Sequence, residues 1–435
     1  MAAGRSARDS SSEVIAVRPD GGRDESNARR SEDARGRYKK LLFMCAMPPS
    51  GIAGMSIIAR QMFLGYDPDA LHVLCCSRWY EIGQKMASSS YLACRHTTVR
   101  DLGVRVRPHR YTVPLSEDLN CLRTPWIVAL ARRIVRAEGI EAIFTVPWTP
   151  DFALAALLLH RLTGLPLYVY EMDDWEGHLD WHPASLLIRR YHRDVLRAAK
   201  DLWLISPSMV EAYRDRFGVE GRFLCQAVDL AAYQRAAAGA PSPGTGAEIK
   251  LVYTGSVNRM FRSTLKFVCD LVNAGIEIGG RRVRLEIYTH GEHRDLAGRW
   301  VSFPGLVPAS EIPDRLATAD ALLMPVSFEA GAEQLVRTSL YTKTIDYLAS
   351  GRPMLMVAPA YSAVARYCGD QAPLKDTAVL VDRLDRADVE AALARIFSAH
   401  EETAERCARG VELVRRYHDV AAIDDQFLRY FRTTD

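Results

Sequence analysis

From Tyr38 onward the chain alternates short, nearly continuous apolar runs with longer amphipathic stretches, and it does so twice, on either side of a segment crowded with Pro and Gly. Continuous apolar runs of this length suit strands covered on both faces, and the amphipathic stretches between them supply the covering helices. Each series therefore predicts a parallel sheet flanked by helices. The first places strands at residues 40–45, 72–75, 104–107, 142–146, 167–171, 202–205 and 223–225; the second at 250–253, 284–288, 321–324, 354–357 and 378–381. The segment 234–248 reads as a linker, because its Ala-Gly-Ala-Pro-Ser-Pro-Gly-Thr-Gly run cannot lie inside a sheet. The predicted fold class is α/β, with two Rossmann-like domains, 38–233 and 249–410, facing across a cleft. The remainder, 411–435, is predicted helical and free to pack back on the first domain.

Residues 1–37 are rich in Ser, Arg, Asp, Glu and Gly and nearly free of large apolar side chains, so they are predicted to be a disordered arm. Residues 1–40 hold ten Lys or Arg against seven Asp or Glu, which is the whole net charge of +3. The neutral remainder has no general electrostatic reason to bind nucleic acid. The densest apolar run, residues 152–159, is far short of the ~20 residues that span a bilayer. With no apolar secretory core and nine cysteines lacking metal or redox spacing, apart from the adjacent Cys75 and Cys76, the expected location is the cytoplasm. A basic, aromatic group drawn from Arg123, Trp126, Arg132 and Arg133 fits either a plain amphipathic helix or a peripheral seat at a membrane.

In open α/β sheets ligands bind beyond the carboxyl ends of the strands. After the opening strand, residues 47–56 carry Gly51 and Gly54 into a helix, where backbone amides can approach an anion; a tight turn explains them equally. The matching loop of the second half has Gly255, Arg259 and Arg262, suited to neutralising a departing diphosphate or to an ordinary solvated face. After the strand at 167–171 comes a cluster of Glu171, Asp173, Asp174, Glu176 and His178. Such crowding can raise a carboxylate pKa, hold a divalent cation, or simply cap backbone amides. Finally, Glu329, Gly331 and Glu333 precede a helix predicted over 339–349, on which Ser339, Lys343 and Asp346 share one face. That face pairs a cation for phosphate with an acceptor for sugar hydroxyls, or is an ordinary ion pair.

Taken in order, these phrases resemble the GT-B glycosyltransferases, most closely family 4 of that group. The resemblance rests on Ile205-Ser206-Pro207-Ser208-Met209, on Gln226-Ala227-Val228-Asp229 where the family has Asn-Gly-Val-Asp, and on Gly255 after the first strand of the second half. It continues through Val301-Ser302-Phe303-Pro304-Gly305 and the run Ala319 to Pro325. It ends with Lys343-Thr344-Ile345-Asp346-Tyr347-Leu348-Ala349-Ser350-Gly351-Arg352-Pro353, similar to Lys-Leu-x-Glu-Tyr-x-Ala-x-Gly-Lys-Pro. What it implies is transfer of a sugar from a nucleoside diphosphate sugar, the co-substrate held by the second domain, to a glycan or lipid-linked acceptor on the first. The resemblance implies no bound metal or other cofactor, a retaining course, and a place in surface polysaccharide or glycoconjugate assembly. By the same carry-over Asp346 meets the ribose, Arg259, Arg262 and Lys343 face the diphosphate with amides near Gly51, and Asp173, Asp174, Glu176 or His178 act on the acceptor hydroxyl.

The departures are specific. Thr338 stands where the first of the family's paired glutamates would be, which leaves the donor sugar to Glu329, Gly331 or Glu333. Ser256 and Phe261 occupy the usual Arg and Lys positions of the glycine loop, so Arg259 and Arg262 are read as displaced substitutes. A histidine often found after the strand ending near Val146 is absent, with Trp148 close by. Two rivals share the pattern: a nucleotide-sugar epimerase or hydrolase on the same scaffold, and a non-catalytic protein that clamps a small molecule between its two domains.

Overall fold

A computed structural model describes residues 16–17, 38–51, 54–85, 91–102, 112–177 and 184–433. The strand predicted at 104–107, residue His178 and most of the predicted arm lie outside them. The apolar runs of the first half form β2 (Leu41–Met44), β3 (Leu71–Cys76), β5 (Ala142–Thr145), β6 (Leu167–Glu171), β7 (Ala199–Leu204) and β8 (Arg222–Phe223). With β4 (Arg95–Val99) and the two-residue β1 (Ala16–Val17) they make an eight-stranded sheet in the order β1-β4-β3-β2-β5-β6-β7-β8. Every pairing is parallel except β1 against β4, so one short strand from within the predicted arm seals the sheet edge.

The second sheet has seven strands: β9 (Glu248–Thr254), β10 (Glu277–Ile278), β11 (Arg281–Tyr288), β12 (Val301–Ser302), β13 (Ala321–Pro325), β14 (Met354–Val357) and β15 (Val379–Val381). Its order is β10-β11-β9-β13-β14-β15, with β12 beside β11, and only the β10–β11 hairpin is antiparallel. Strands such as Leu41–Met44 and Met354–Val357 are buried along their whole length, which is what helices on both faces require.

Two boundaries differ from the sequence expectation. The helix Leu230–Ala238, capped by the Asp229 carboxylate on the Ala232 amide, runs into the segment read as linker. The helix expected over 339–349 begins only at Thr342 and runs to Ala349; a separate short helix, Glu333–Thr338, precedes it and ends where Ser339 turns extended.

The chain crosses between domains a second time near Tyr417. Val228 and Asp419 form a bridge, and Val228 N donates to His418 O at 2.8 Å. The last helical turn then lies on the first domain, where Phe427 and Phe431 pack among Phe63, Phe144, Tyr168 and Trp203, with Phe431 4.7 Å from Tyr168 and Phe427 5.0 Å from Trp203. Lys39 N donates to Phe431 O at 2.8 Å. Residues at opposite ends of the chain thus share one aromatic core.

Candidate functional site

The carboxyl edges of the two sheets face each other across a cleft of about 620 Å3. From the first domain come Gly51, Gly54 and Met55 of the loop after β2, Met172 and Asp173 after β6, and Ile205 after β7. The second contributes Gly255, Ser256 and Asn258 after β9, Tyr288 and His290 at the end of β11, a wall formed by Leu306, Val307, Pro308, Ala309 and Ile312, and the stretch Leu340 to Lys343 with Asp346. The loop after β2 is held by its own hydroxyls: Ser50 N donates to Ser56 Oγ at 3.0 Å, and Ser56 Oγ donates to Pro48 O at 2.9 Å.

Two helix starts meet here. A Cβ placed on Gly54, which opens the helix Gly54–Met62, would lie 3.7 Å from the side chain of Thr342, which opens the helix Thr342–Ala349. Tyr341, at the cap of the second helix, offers no capping side chain. The first-turn amides of a helix have no intrahelical acceptor, and the aligned peptide dipoles add positive potential, so this end of the cleft is built for an anion.

Lys343 stands beside these amides. Its Nζ donates to the Tyr253 hydroxyl at 2.7 Å and lies 3.7 Å from the centroid of Phe261 and 4.3 Å from that of Tyr253. Burial pushes the ammonium down to about 7, against the opposing pull of Asp346. Gly255 has φ +122°, and a Cβ there would come within 2.9 Å of Lys343 Cε and Nζ, so only glycine lets the lysine cross the end of β9. Asp346 is pushed up to about 6 by burial, opposed by hydrogen bonds from the Tyr233 hydroxyl at 2.7 Å and the Gln226 amide at 2.9 Å, both to Oδ1. Among the described residues no hydrogen bond reaches its Oδ2.

The acidic cluster is divided. Asp173 lines the cleft and is also pushed up to about 6 by burial, with Ser339 Oγ donating to it at 3.2 Å as the opposing influence. Ser339 thus acts on Asp173 from behind rather than lining the cleft. Asp174 and Glu176 do not line it: Arg216 meets Asp174 at 2.7 Å and Glu176 at 3.9 Å, and Gln334 reaches Asp174 at 3.3 Å. Asp174 is wholly buried and needs that guanidinium, which reads it as an inter-element tie rather than a reacting group. Glu171, immediately before, is paired with His192 at 2.7 Å. His178 lies outside the described residues.

Five donor-side residues of the sequence reading stand outside the cleft lining, and one membrane-side residue is buried. Arg262 opens the helix Arg262–Asn273 and is paired with Asp295 at 2.6 Å, while Arg259 donates to Gly177 O at 3.1 Å; neither lines the cleft. Glu329 and Gly331 are exposed and also outside the lining, and Glu333, half-buried, likewise stands outside it and pairs with Arg337 at 2.7 Å, one turn along its own helix. Lys343 is consequently the single cation among the described lining residues. Arg123 is no part of a surface patch: it is buried between Asp151, at 2.6 Å, and Asp101, at 2.7 Å. Tyr253, Phe261, Gln226 and Tyr233 are partners of the two key charges that the sequence did not single out as such; Tyr253 is at the end of β9, whereas Phe261 precedes the helix Arg262–Asn273 and Tyr233 lies within the helix Leu230–Ala238. Among the described residues no group of three or more His, Cys, Asp or Glu is placed to hold a metal ion, and no helix is long and apolar enough to cross a membrane.

No protein-family model and no curated protein matches the chain by sequence. Solved structures do match it. Sucrose-phosphate synthase from Thermosynechococcus elongatus is 14% identical, with 91% of this chain and 98% of that one covered at a TM-score of 0.65. HepE of Anabaena, in complex with UDP and glucose, is 12% identical over 90% and 99% of the two chains at 0.60. The UDP-forming α,α-trehalose-phosphate synthase from Burkholderia vietnamiensis is 13% identical over 91% and 99% at 0.62. Likeness at this level of identity is likeness of fold, and the fold is GT-B.

Proposed function

We propose that this GT-B chain is a glycosyltransferase that takes a sugar from a nucleoside diphosphate sugar and passes it to an acceptor hydroxyl. The observation that carries the reading is the convergence of Lys343, the uncapped start of the helix Thr342–Ala349 and Gly54 of the facing domain on one cleft. In that arrangement the diphosphate lies against the amides and Lys343, which stabilise the charge that develops as the sugar leaves. Asp346 accepts a ribose hydroxyl through Oδ2, and the apolar wall from Leu306 to Ile312 takes the base. Asp173, its pKa raised to about 6 by burial, is mostly a carboxylate at neutral pH and positions the acceptor hydroxyl or takes a proton from it.

The finer parts of the proposal come from the resemblance and from the neighbours. HepE is described with UDP and glucose, which puts uridine diphosphate sugars first among candidate donors. A retaining course, independence from a bound metal, a glycan or lipid-linked acceptor, and work in the cytoplasm or at the inner face of a membrane belong to the same reading.

A thermal-shift series with uridine, guanosine, adenosine and thymidine diphosphates tests it, because a ligand that binds only the folded state raises Tm. One diphosphate is expected to stabilise the protein selectively, with the rise lost in Lys343→Met. If none shifts Tm, the reading falls. With the stabilising base known, rapid stoichiometric conversion of its sugar conjugates without acceptor would point instead to the epimerase or hydrolase.

A further inference from the structure

In the first domain the helix Thr112–Asn120, the turn Cys121–Arg123 and the helix Thr124–Glu138 follow one another without a break in the chain. Leu115, Leu119, Leu122 and Trp126 recur along it at spacings of four, three and four, so they form one stripe. That stripe points to water: the four are 47%, 38%, 73% and 52% exposed. Beside it, the Asp118 carboxylate accepts from Ala184 N at 3.0 Å, bringing in the start of the helix Ser185–Ala198. Its first turn carries Leu186 and Leu187, 85% and 64% exposed.

Behind the leucines the same helices turn basic. Arg190, Arg193 and Arg197 follow Leu186 and Leu187 at helical spacing, and Arg133 and Arg136 follow Trp126; all five are exposed. Among the described residues no carboxylate pairs with any of them. The acids nearby are engaged, Asp194 with Arg161 at 2.9 Å and Asp118 with the Ala184 amide. The chain beyond residue 40 has no net charge, so this is a local basic face on a neutral body.

We propose that this face seats the protein on an anionic phospholipid bilayer, with Leu186, Leu187, Leu122 and Trp126 dipping among the headgroups and the arginines on the lipid phosphates. A convex surface of exposed leucines backed by arginines fits a yielding, negatively charged apolar surface. A twofold interface with a second copy would set arginine against arginine. Nucleic acid phosphates would leave the leucines without a partner. The helix Ser185–Ala198 begins on the same strand-end side as the loop that carries Asp173. The leucines at the start of that helix are therefore on the strand-end side of the first domain, the side on which the cleft opens. The face stands whether or not the cleft transfers sugar, and nucleoside diphosphate binding is measured separately from membrane binding.

The test is flotation of the full chain with vesicles of phosphatidylcholine, alone and with phosphatidylglycerol added, at low and high salt. The wild type is expected to float only with the anionic vesicles, and less at high salt. The triple variant Arg190→Ala, Arg193→Ala, Arg197→Ala should lower the partition on the order of a hundredfold, from about fivefold per arginine. Leu186→Glu with Leu187→Glu should also abolish flotation, with thermal unfolding and the diphosphate-induced shift unchanged. Absence of flotation, equal flotation with neutral vesicles, or flotation untouched by the leucine changes would each overturn the proposal. So would a stable dimer in light scattering that the leucine variants dissolve.

Discussion

Lys343 offers the sharpest prediction, because its surroundings set both its charge and its task. In the empty cleft burial holds its pKa near 7, so at pH 8 about nine-tenths of the molecules carry a neutral amine. A diphosphate beside it favours the ammonium and drives the pKa back up. Binding at pH 8 should therefore take up about 0.9 proton per site, since the other two charged lining groups, Asp173 and Asp346, titrate near 6 and stay ionised throughout. Titration calorimetry in buffers of differing ionisation enthalpy reads that number directly. Uptake should shrink as pH falls through 7, and Lys343→Met should remove it while weakening binding. The same group makes a stability prediction. The unfolded lysine holds its proton to about 10.5, so between about 7 and 10.5 the unfolded state binds more protons and the wild type gains stability as pH rises. The gap between 10.5 and about 7, at ~1.36 kcal/mol per pH unit, caps that gain at ~5 kcal/mol. Below pH 7 both states are protonated, the buried ammonium costs its full amount, and Lys343→Met should be the more stable protein. Zero proton uptake by the wild type at pH 8 would refute the reasoning.

Asp346→Asn keeps an oxygen for the Tyr233 and Gln226 donors, so Tm should hold; nucleoside diphosphate affinity by calorimetry should fall by about 1 to 3 kcal/mol, and unchanged affinity would take the residue out of the ribose contact. Asp173→Asn should abolish turnover and leave donor binding intact. Its neighbour behaves differently: Asp174→Asn, which weakens the hold on Arg216, should lower stability in urea by about 1 to 3 kcal/mol with residual turnover in the folded fraction. Phe431→Ala empties a ring site shared with Phe63, Tyr168 and Trp203 and should cost about 3 to 5 kcal/mol in the same assay; a loss below 1 kcal/mol would mean the terminal turn is detachable.

The central strands were legible because a strand covered on both faces must be apolar throughout, and Leu41–Met44, Leu167–Glu171 and Met354–Val357 are nearly so. Arg95–Val99 escaped notice because two of its three buried positions, His96 and Thr97, are polar, and the sequence does not advertise the partner of Thr97: it meets His72 at 2.8 Å, and His72 meets Glu138 at 2.9 Å. Lys343 and Asp346 could be picked out from their spacing on a helix behind a strand. Arg259 and Arg262 stand outside the cleft lining because a guanidinium goes to whatever acceptor the fold brings near, here Gly177 O and Asp295. The division of labour between Asp173 and Asp174 was equally invisible. Adjacent residues on a tight loop point apart, and the group that claims Asp174 lies on a helix, Pro207–Phe217, beyond another strand.

The rings of Phe427 and Phe431 have a consequence for how the protein is made. During synthesis the first domain emerges with all its own strands, yet the wedge that closes its core is made only after the whole second sheet. Until then Phe144, Tyr168 and Trp203 lack their covering, an exposed aromatic face of the kind chaperones hold. Synthesis of the terminal aromatic turn, well past the boundary between the two sheets, is the event that lets the amino-terminal half settle.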